Sequence, residues 1–270
     1  MPVVSVIIPT RNRVESLKRA LSSAMNQTLH DFEIIVVNDG STDRTSKYCA
    51  SIKNPRFHYS EFTENCGGSA ARNEGIRMAQ GDFVAFLDDD DVWETTKLEE
   101  QVNAINRENT CLCYTGVTKR TFRGKLKRYI FMKPRFTNNI KSILFNNFIG
   151  STSSVMVKKD LLNKIGGFDP ALPALQDWDL FIRLVENGCA FYGLDRSLVY
   201  YDIADNSRNV SGSFPRYKAA AEYLRRKYGG HDFFPLLNNR LLFMEFIRHF
   251  KSRYFLMGSI KYCFGRFFNH

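Results

Sequence analysis

No uninterrupted apolar stretch of about 18 residues occurs in this chain of 270 residues, so none of it reads as a transmembrane helix. Its first residues enter an apolar run at once, without the basic flank and cleavage site of a signal peptide. Cysteine is sparse: the six, at 49, 66, 111, 113, 189 and 263, form no C-x-x-C pair and have no neighbouring histidine pattern, which excludes the usual zinc modules. A reducing cytoplasm suits that usage. There is no internal repeat and no low-complexity segment, and no nucleic-acid-binding motif accompanies the basic balance. The length and the 44% hydrophobic content allow one domain of about 200 residues with an appendage.

The formal charge is +10, and it is unevenly placed. Residues 216–270 carry eleven Lys and Arg against three acids, a net +8. Within them Phe243, Phe246, Ile247, Phe250 and Tyr254 recur at the spacing of one helical face. A basic, aromatic helix of this kind suits an anionic membrane surface, where each Lys or Arg contributes about 1 kcal/mol. It equally suits an aromatic stripe packed on a protein core.

Strand and helix patterns alternate through the first half: strands at 3–8, 33–37, 57–60 and 83–87, helices at 15–26, 43–51 and 69–80. This is the β-α-β rhythm of a mostly parallel sheet with helices on its faces. A helix at 94–107, a strand at 111–118, a strand at 153–157 and helices at 158–165 and 177–187 follow. The basic, glycine-punctuated stretch 119–135 reads as a hairpin or mobile loop.

Three apolar strands stop at polar loops. The first ends at Pro9-Thr10-Arg11-Asn12-Arg13, the second at Asn38-Asp39-Gly40-Ser41-Thr42-Asp43, and the third at Asp88-Asp89-Asp90-Asp91. In open α/β sheets ligands gather at the carboxyl ends of strands. Four adjacent carboxylates repel one another and call for a cation, and hard oxygen ligands suit Mg2+ or Mn2+. Mg2+ takes one or two protein carboxylates and completes its shell with water and substrate phosphate, so a diphosphate-bearing substrate is implied. Gly67 and Gly68 precede a helix whose free amides and Arg72 can approach phosphate.

These blocks, with Gly67-Gly68-Ser69-Ala70-Ala71-Arg72-Asn73-Glu74-Gly75 and the pair Gly166-Gly167-Phe168-Asp169 and Gln176-Asp177-Trp178-Asp179-Leu180, resemble in content and order the signature of family 2 glycosyltransferases with the GT-A fold. The resemblance implies an α/β GT-A fold over 1–215, a mostly parallel mixed sheet flanked by helices, and a C-terminal helical region over 216–270. It implies a nucleotide-sugar donor, a UDP-sugar by preference, held by Pro9, Arg11, Asp39, Gly67, Arg72, Asp88 and Asp89. Arg11 stands where many relatives carry tyrosine, and its guanidinium can stack on a base in the same way. Asp90 is the implied ligand of Mn2+ or Mg2+.

On the acceptor side the resemblance makes Asp177 the catalytic base of an inverting transfer, with Trp178 as a floor for the acceptor sugar and Arg208 as a closing-loop residue. Asp177 and Asp179 do not share a helical face, so one acts and the other caps or is solvated. Gln176 replaces a common glutamate, which removes a negative charge beside Asp177 and weakens it slightly as a base. The histidine that often completes the metal site is missing from 202–208. The implied acceptor is a glycan, or a lipid-linked oligosaccharide in bacterial surface-polysaccharide (lipopolysaccharide) assembly. The implied location is the cytoplasm, peripheral on the inner face of the membrane through the C-terminal helices. The alternatives are a nucleotidyltransferase of related fold and a non-catalytic nucleotide-binding protein. A processive synthase is excluded by the absence of a Gln-x-x-Arg-Trp block.

Overall fold

The computed structural model describes residues 1–123, 126–132, 143, 147–203, 214–231 and 234–254. Its strands are β1 (Val4–Thr10), β2 (Phe32–Asp39), β3 (Phe57–Phe62), β4 (Phe83–Phe86), β5 (Asp91–Trp93), β6 (Leu112–Arg123), β7 (Leu126–Met132), β8 (Val155–Lys158) and β9 (Phe191–Ile203). Its helices are α1 (Val14–Met25), α2 (Thr45–Ser51), α3 (Gly68–Met78), α4 (Lys97–Glu108), α5 (Lys159–Lys164), α6 (Gln176–Glu186), α7 (Phe214–Tyr228) and α8 (Phe234–Tyr254).

The strands form one sheet in the order β3-β2-β1-β4-β8-β6-β9-β5, with β7 paired to β6. β1, β2 and β4 are buried along their whole length, which is why their sequences are apolar without alternation. β1 pairs in parallel with β2 and β4, and β2 with β3, so the three polar loops emerge at one edge of the sheet. The second half is mixed: β4–β8, β6–β8, β6–β7 and β5–β9 are antiparallel, while β6–β9 is parallel. The basic stretch after 118 is thus a hairpin, and β5 and β9 are strands that the sequence pattern did not disclose.

α1 buries Leu17, Ala20, Leu21 and Ala24, a stripe at helical spacing. α3 lies close on β1. A Cβ on Gly75 would stand 2.3 Å from Ile7 Cγ2, so only glycine permits this approach.

The chain divides into two compact units, one of Met1–Leu172 with Gln176–Asn206, the other of Pro173–Leu175 with Ser207–His270. The division at Asn206 and Ser207 falls ahead of the expected boundary at 215. In the second unit α7 buries Tyr217, Ala220, Ala221, Leu224 and Tyr228. Its Arg225 donates to Asn238 at 2.9 Å and pairs with Glu245 of α8 at 3.0 Å. Leu242, Phe243 and Phe246 of α8 are about half exposed. The side chains of Phe250 and Tyr254 lie outside the described residues, as does the segment after 254. No helix among the described residues is long and apolar enough to cross a membrane.

Candidate donor and acceptor site

The loop after β2 is built by two neighbouring side chains with different tasks. Asn38, fully buried, accepts the Ser41 N–H and donates to Ser46, Tyr59 and Glu61, so it closes its own turn. Asp39 instead reaches across to the entry of α3, accepting the N–H of Cys66 at 2.7 Å and of Gly67 at 3.0 Å. Gly67 caps α3 with φ of +90°, a conformation that L side chains rarely adopt. Asn38 therefore closes the turn, and Asp39 orders the glycine loop. Pro9 is buried opposite Val37, and Arg11 is exposed at the end of β1.

The loop after β4 holds the carboxylates. Asp89 is buried and accepts the Thr10 hydroxyl at 2.8 Å. One Arg13 nitrogen donates to Asp89 at 3.2 Å and to Asp90 at 2.7 Å. Burial, aided by the charge of Asp90, pushes the Asp89 carboxyl up to about 6 even with Arg13 and Thr10 opposing it. Burial and Asp88 raise Asp90 as well. Asp91 is fully buried in β5 and opposes Tyr201 of β9. The Tyr201 hydroxyl is pushed up to about 12, first by burial and then by Asp91, Asp90 and Asp88, so it stays protonated beside them.

Asp88 is gripped from three directions. Its N–H donates to Ser153 Oγ at 3.0 Å, Thr152 Oγ1 lies 3.4 Å from its carboxylate, and Arg72 Nη2 pairs with Oδ1 at 2.5 Å. Ser153 also offers its carbonyl to the Trp93 indole N–H at 2.9 Å. Beneath Trp93 lies Lys97, fully buried, with its ammonium 4.0 Å from the ring centroid and 2.6 Å from Gln101 Oε1. Burial drives this lysine down to about 7.

α3 joins the loops after β2 and β4 to the block Gly166–Asp169. Asn73 accepts the Phe168 N–H at 2.7 Å and donates to the Phe168 carbonyl at 2.8 Å. A Cβ on Gly167, whose φ is +66°, would stand 2.4 Å from Asn73 Oδ1. The Phe168 ring meets Phe86 edge-on at 5.2 Å and the Arg72 guanidinium at 5.5 Å. Arg72 therefore lies between Asp88 and Phe168. Its Nε, buried, has no hydrogen-bond partner among the described residues.

Asp177 is half-buried in the first turn of α6. Burial raises its carboxyl most; the Trp178 N–H and the positive charge of Arg72 oppose, and Asp88 adds to the rise. A raised carboxyl is a stronger base, and the Gln176 amide beside it donates to Leu172 O at 3.1 Å. Asp179 does not meet solvent. It is fully buried and paired with Arg183 at 2.8 Å. Trp178, expected as a floor for the acceptor sugar, is buried, and its indole N–H donates to Ile143 O at 2.6 Å. Arg208 lies outside the described residues.

A cation fits this donor set in one limited sense. Among the described residues no group of three or more His, Cys, Asp or Glu forms a complete cage. The carboxylates are hard oxygen donors whose mutual repulsion and burial already raise two of them, which suits a metal taking one or two protein ligands and the rest from water and phosphate.

The model of glycosyl transferase family 2 matches residues 5–166, more than half of the chain. The chain belongs to this family. TuaG of Bacillus subtilis (strain 168), provisionally named a teichuronic acid biosynthesis glycosyltransferase, is 31% identical over 209 residues, covering 76% of this chain and 81% of TuaG. Two longer glycosyltransferases from Rickettsia felis and Rickettsia conorii are matched over 31% of their length. S. aureus TarS 1-349 in complex with UDP-GlcNAc superposes with a TM-score of 0.70 at 22% identity, covering 96% of this chain and 77% of that one. The mannosyltransferase PcManGT from Pyrobaculum calidifontis, in complex with GDP-Man and Mn2+, gives 0.66 at 18% identity, covering 96% and 76%. Both share the GT-A fold with this chain.

The sequence patterns pointed to Asp39, Arg72, Asp88, Asp89, Asp90 and Asp177; of these Asp39 ends β2, Asp88, Asp89 and Asp90 follow β4, Arg72 pairs with Asp88, and Asp177 lies in the first turn of α6. They did not point to Arg13, Thr10, Asn73, Asn147 or Ser153. Arg13 had one signal: four carboxylates needing a cation, and a basic loop at the end of the adjacent parallel strand.

Proposed function

We propose that this chain is an inverting glycosyltransferase that moves one sugar from a nucleotide-sugar, a UDP-sugar in the first instance, to a hydroxyl of a glycan acceptor. The observation that carries this reading is the grouping of Asp177, Arg72 and Asp88: a half-buried carboxylate with raised proton affinity lies within the field of the paired Arg72 and Asp88. Asp39 orders the glycine loop against which a nucleoside would lie. The first amides of α3 offer donors to phosphate, with the Arg72 guanidinium beside Asp88. Asp177 takes the proton of the attacking hydroxyl as the sugar inverts in one in-line displacement. Mn2+ or Mg2+, with Asp90 as its ligand and Asp88 and Asp89 beside it, would neutralise charge on the leaving diphosphate.

By analogy with TuaG's name, the acceptor is a cell-surface polysaccharide precursor, and a lipid-linked oligosaccharide accords with a peripheral site at the inner face of the cytoplasmic membrane. The half-exposed Leu242, Phe243 and Phe246 on α8, in a region of net +8, support such an attachment. A thermal-shift panel of UDP-, GDP- and dTDP-sugars, each with and without Mn2+, tests the donor assignment. Stabilisation by a UDP-sugar that depends on Mn2+ is expected, and stabilisation by none of the panel would sink the reading. Liposome flotation tests the attachment: anionic vesicles should retain the chain, and Phe243→Asp with Phe246→Asp should release it.

A further inference from the structure

Asn147 lies at the start of the tight turn that leads into the buried 3-10 segment Thr152–Ser154. Its side chain makes three contacts. Oδ1 accepts the Gly150 N–H at 3.1 Å, while Nδ2 lies 3.2 Å from Gly150 O and 3.0 Å from Asp177 Oδ2. These contacts fix which end of the amide is which. Turned over, its oxygen would face both a carbonyl and a carboxylate, and its NH2 would face an N–H. Gly150, with φ of +88°, allows the turn that aims the amide.

The other carboxylate oxygen, Asp177 Oδ1, accepts the Trp178 N–H at 2.8 Å. The Trp178 indole in turn ties α6 to Ile143 O, four residues ahead of Asn147. Each Asp177 oxygen thus has one fixed neutral donor, which sets the plane of the carboxylate and leaves lone pairs free for an incoming hydroxyl. Among the described residues the charged groups that act on it are Arg72 from α3 and Asp88 from the loop after β4, in opposite senses.

We propose that Asn147 is a positioning residue for Asp177: its N–H holds Oδ2, fixing the orientation of the carboxylate and keeping it ionised in its half-buried place. The proposal rests on the assignment of Asp177 as the base. It adds a residue some 30 positions away that acts only through that carboxylate.

The test needs no known acceptor. In protein carrying 13C at aspartate carboxyls, the Asp177 signal is assigned by its loss in Asp177→Asn, and its titration is followed in wild type, Asn147→Ala and Asn147→Ser. Alanine removes both the donor to Asp177 and the turn acceptor. Serine can still accept the Gly150 N–H but is too short to reach Asp177. A midpoint raised by about one pH unit in both variants, a tenfold change in ionisation constant, is expected. A midpoint unmoved in both, or raised in Asn147→Ala and restored in Asn147→Ser, would overturn the proposal, because turn closure alone would then explain Asn147. If alanine prevents folding, the serine variant decides alone. Failure of the base assignment is separately visible as sugar transfer retained by Asp177→Asn.

Discussion

Lys97 offers the sharpest energetic test of how the carboxylate loop is supported. Its ammonium is fully buried between the Trp93 ring and Gln101, and burial brings it down to about 7 from an ordinary 10.5. Between those two values the unfolded chain holds the proton and the folded chain does not. Stability must therefore fall as pH falls through that window, levelling off below about 7. At about 1.4 kcal/mol per pH unit, moving from about pH 6.5 to about pH 9.5 should stabilise the wild type by about 3 kcal/mol through this group alone. Lys97→Met keeps the length and the contact with Trp93 but removes the titration. It leaves Gln101 Oε1 without its donor, a cost of about 1–3 kcal/mol that does not depend on pH. Urea unfolding of both proteins at the two pH values gives the difference directly, since groups away from Lys97 cancel and the neighbouring Cys113, pushed up to about 12 by burial, stays protonated at both values. The variant should look relatively better at the lower pH by about 3 kcal/mol. Parallel pH profiles would refute the reasoning and mean that the ammonium is solvated well enough to keep its ordinary affinity.

Three further outcomes are expected. Asp177→Asn should lower sugar transfer by about a hundredfold or more with UDP binding near wild type, and near-normal turnover would remove Asp177 as the base. In calorimetry, UDP affinity should fall sharply in EDTA and in Asp90→Ala, and equal affinity in all cases would exclude a metal role for Asp90. Gly75→Ala should cost about 1–3 kcal/mol by driving a methyl into Ile7, and the same substitution should cost less in an Ile7→Ala background; a thermal melt showing no loss would contradict the close approach of α3 to β1.

The parts of the fold that could be read from the chain are those whose burial is uniform. β1, β2 and β4 are enclosed on both faces, so their apolar runs stand out and end abruptly at polar residues. β5 is only three residues long and begins with a buried aspartate, so it looked like the continuation of an acidic turn. β9 passes through Gly193, Asp195, Arg196 and Ser197, and its pairing with β6 shifts register around Gly116, which erases any alternation. The same contrast holds at the site. Carboxylates at strand ends advertise themselves by local crowding, whereas Arg13 and Asn147 owe their roles to partners 76 and 30 residues away, a relation that no local pattern encodes.

The double hydrogen bond from Asn73 to Phe168 bears on attempts to change what this protein glycosylates. Acceptor preference in such a molecule is naturally sought by exchanging the segment around Gly166 to Trp178 for that of a relative. That segment is not a free-standing module, because its backbone is stitched at Phe168 to the helix that carries Arg72, with no room for a side chain at Gly167. A transplant keeping this glycine and a matching amide on α3 should dock in register, while one that breaks either would disturb nucleotide binding along with the acceptor. Chimeras should therefore be cut so that α3 and the Gly-Gly-Phe-Asp block travel together.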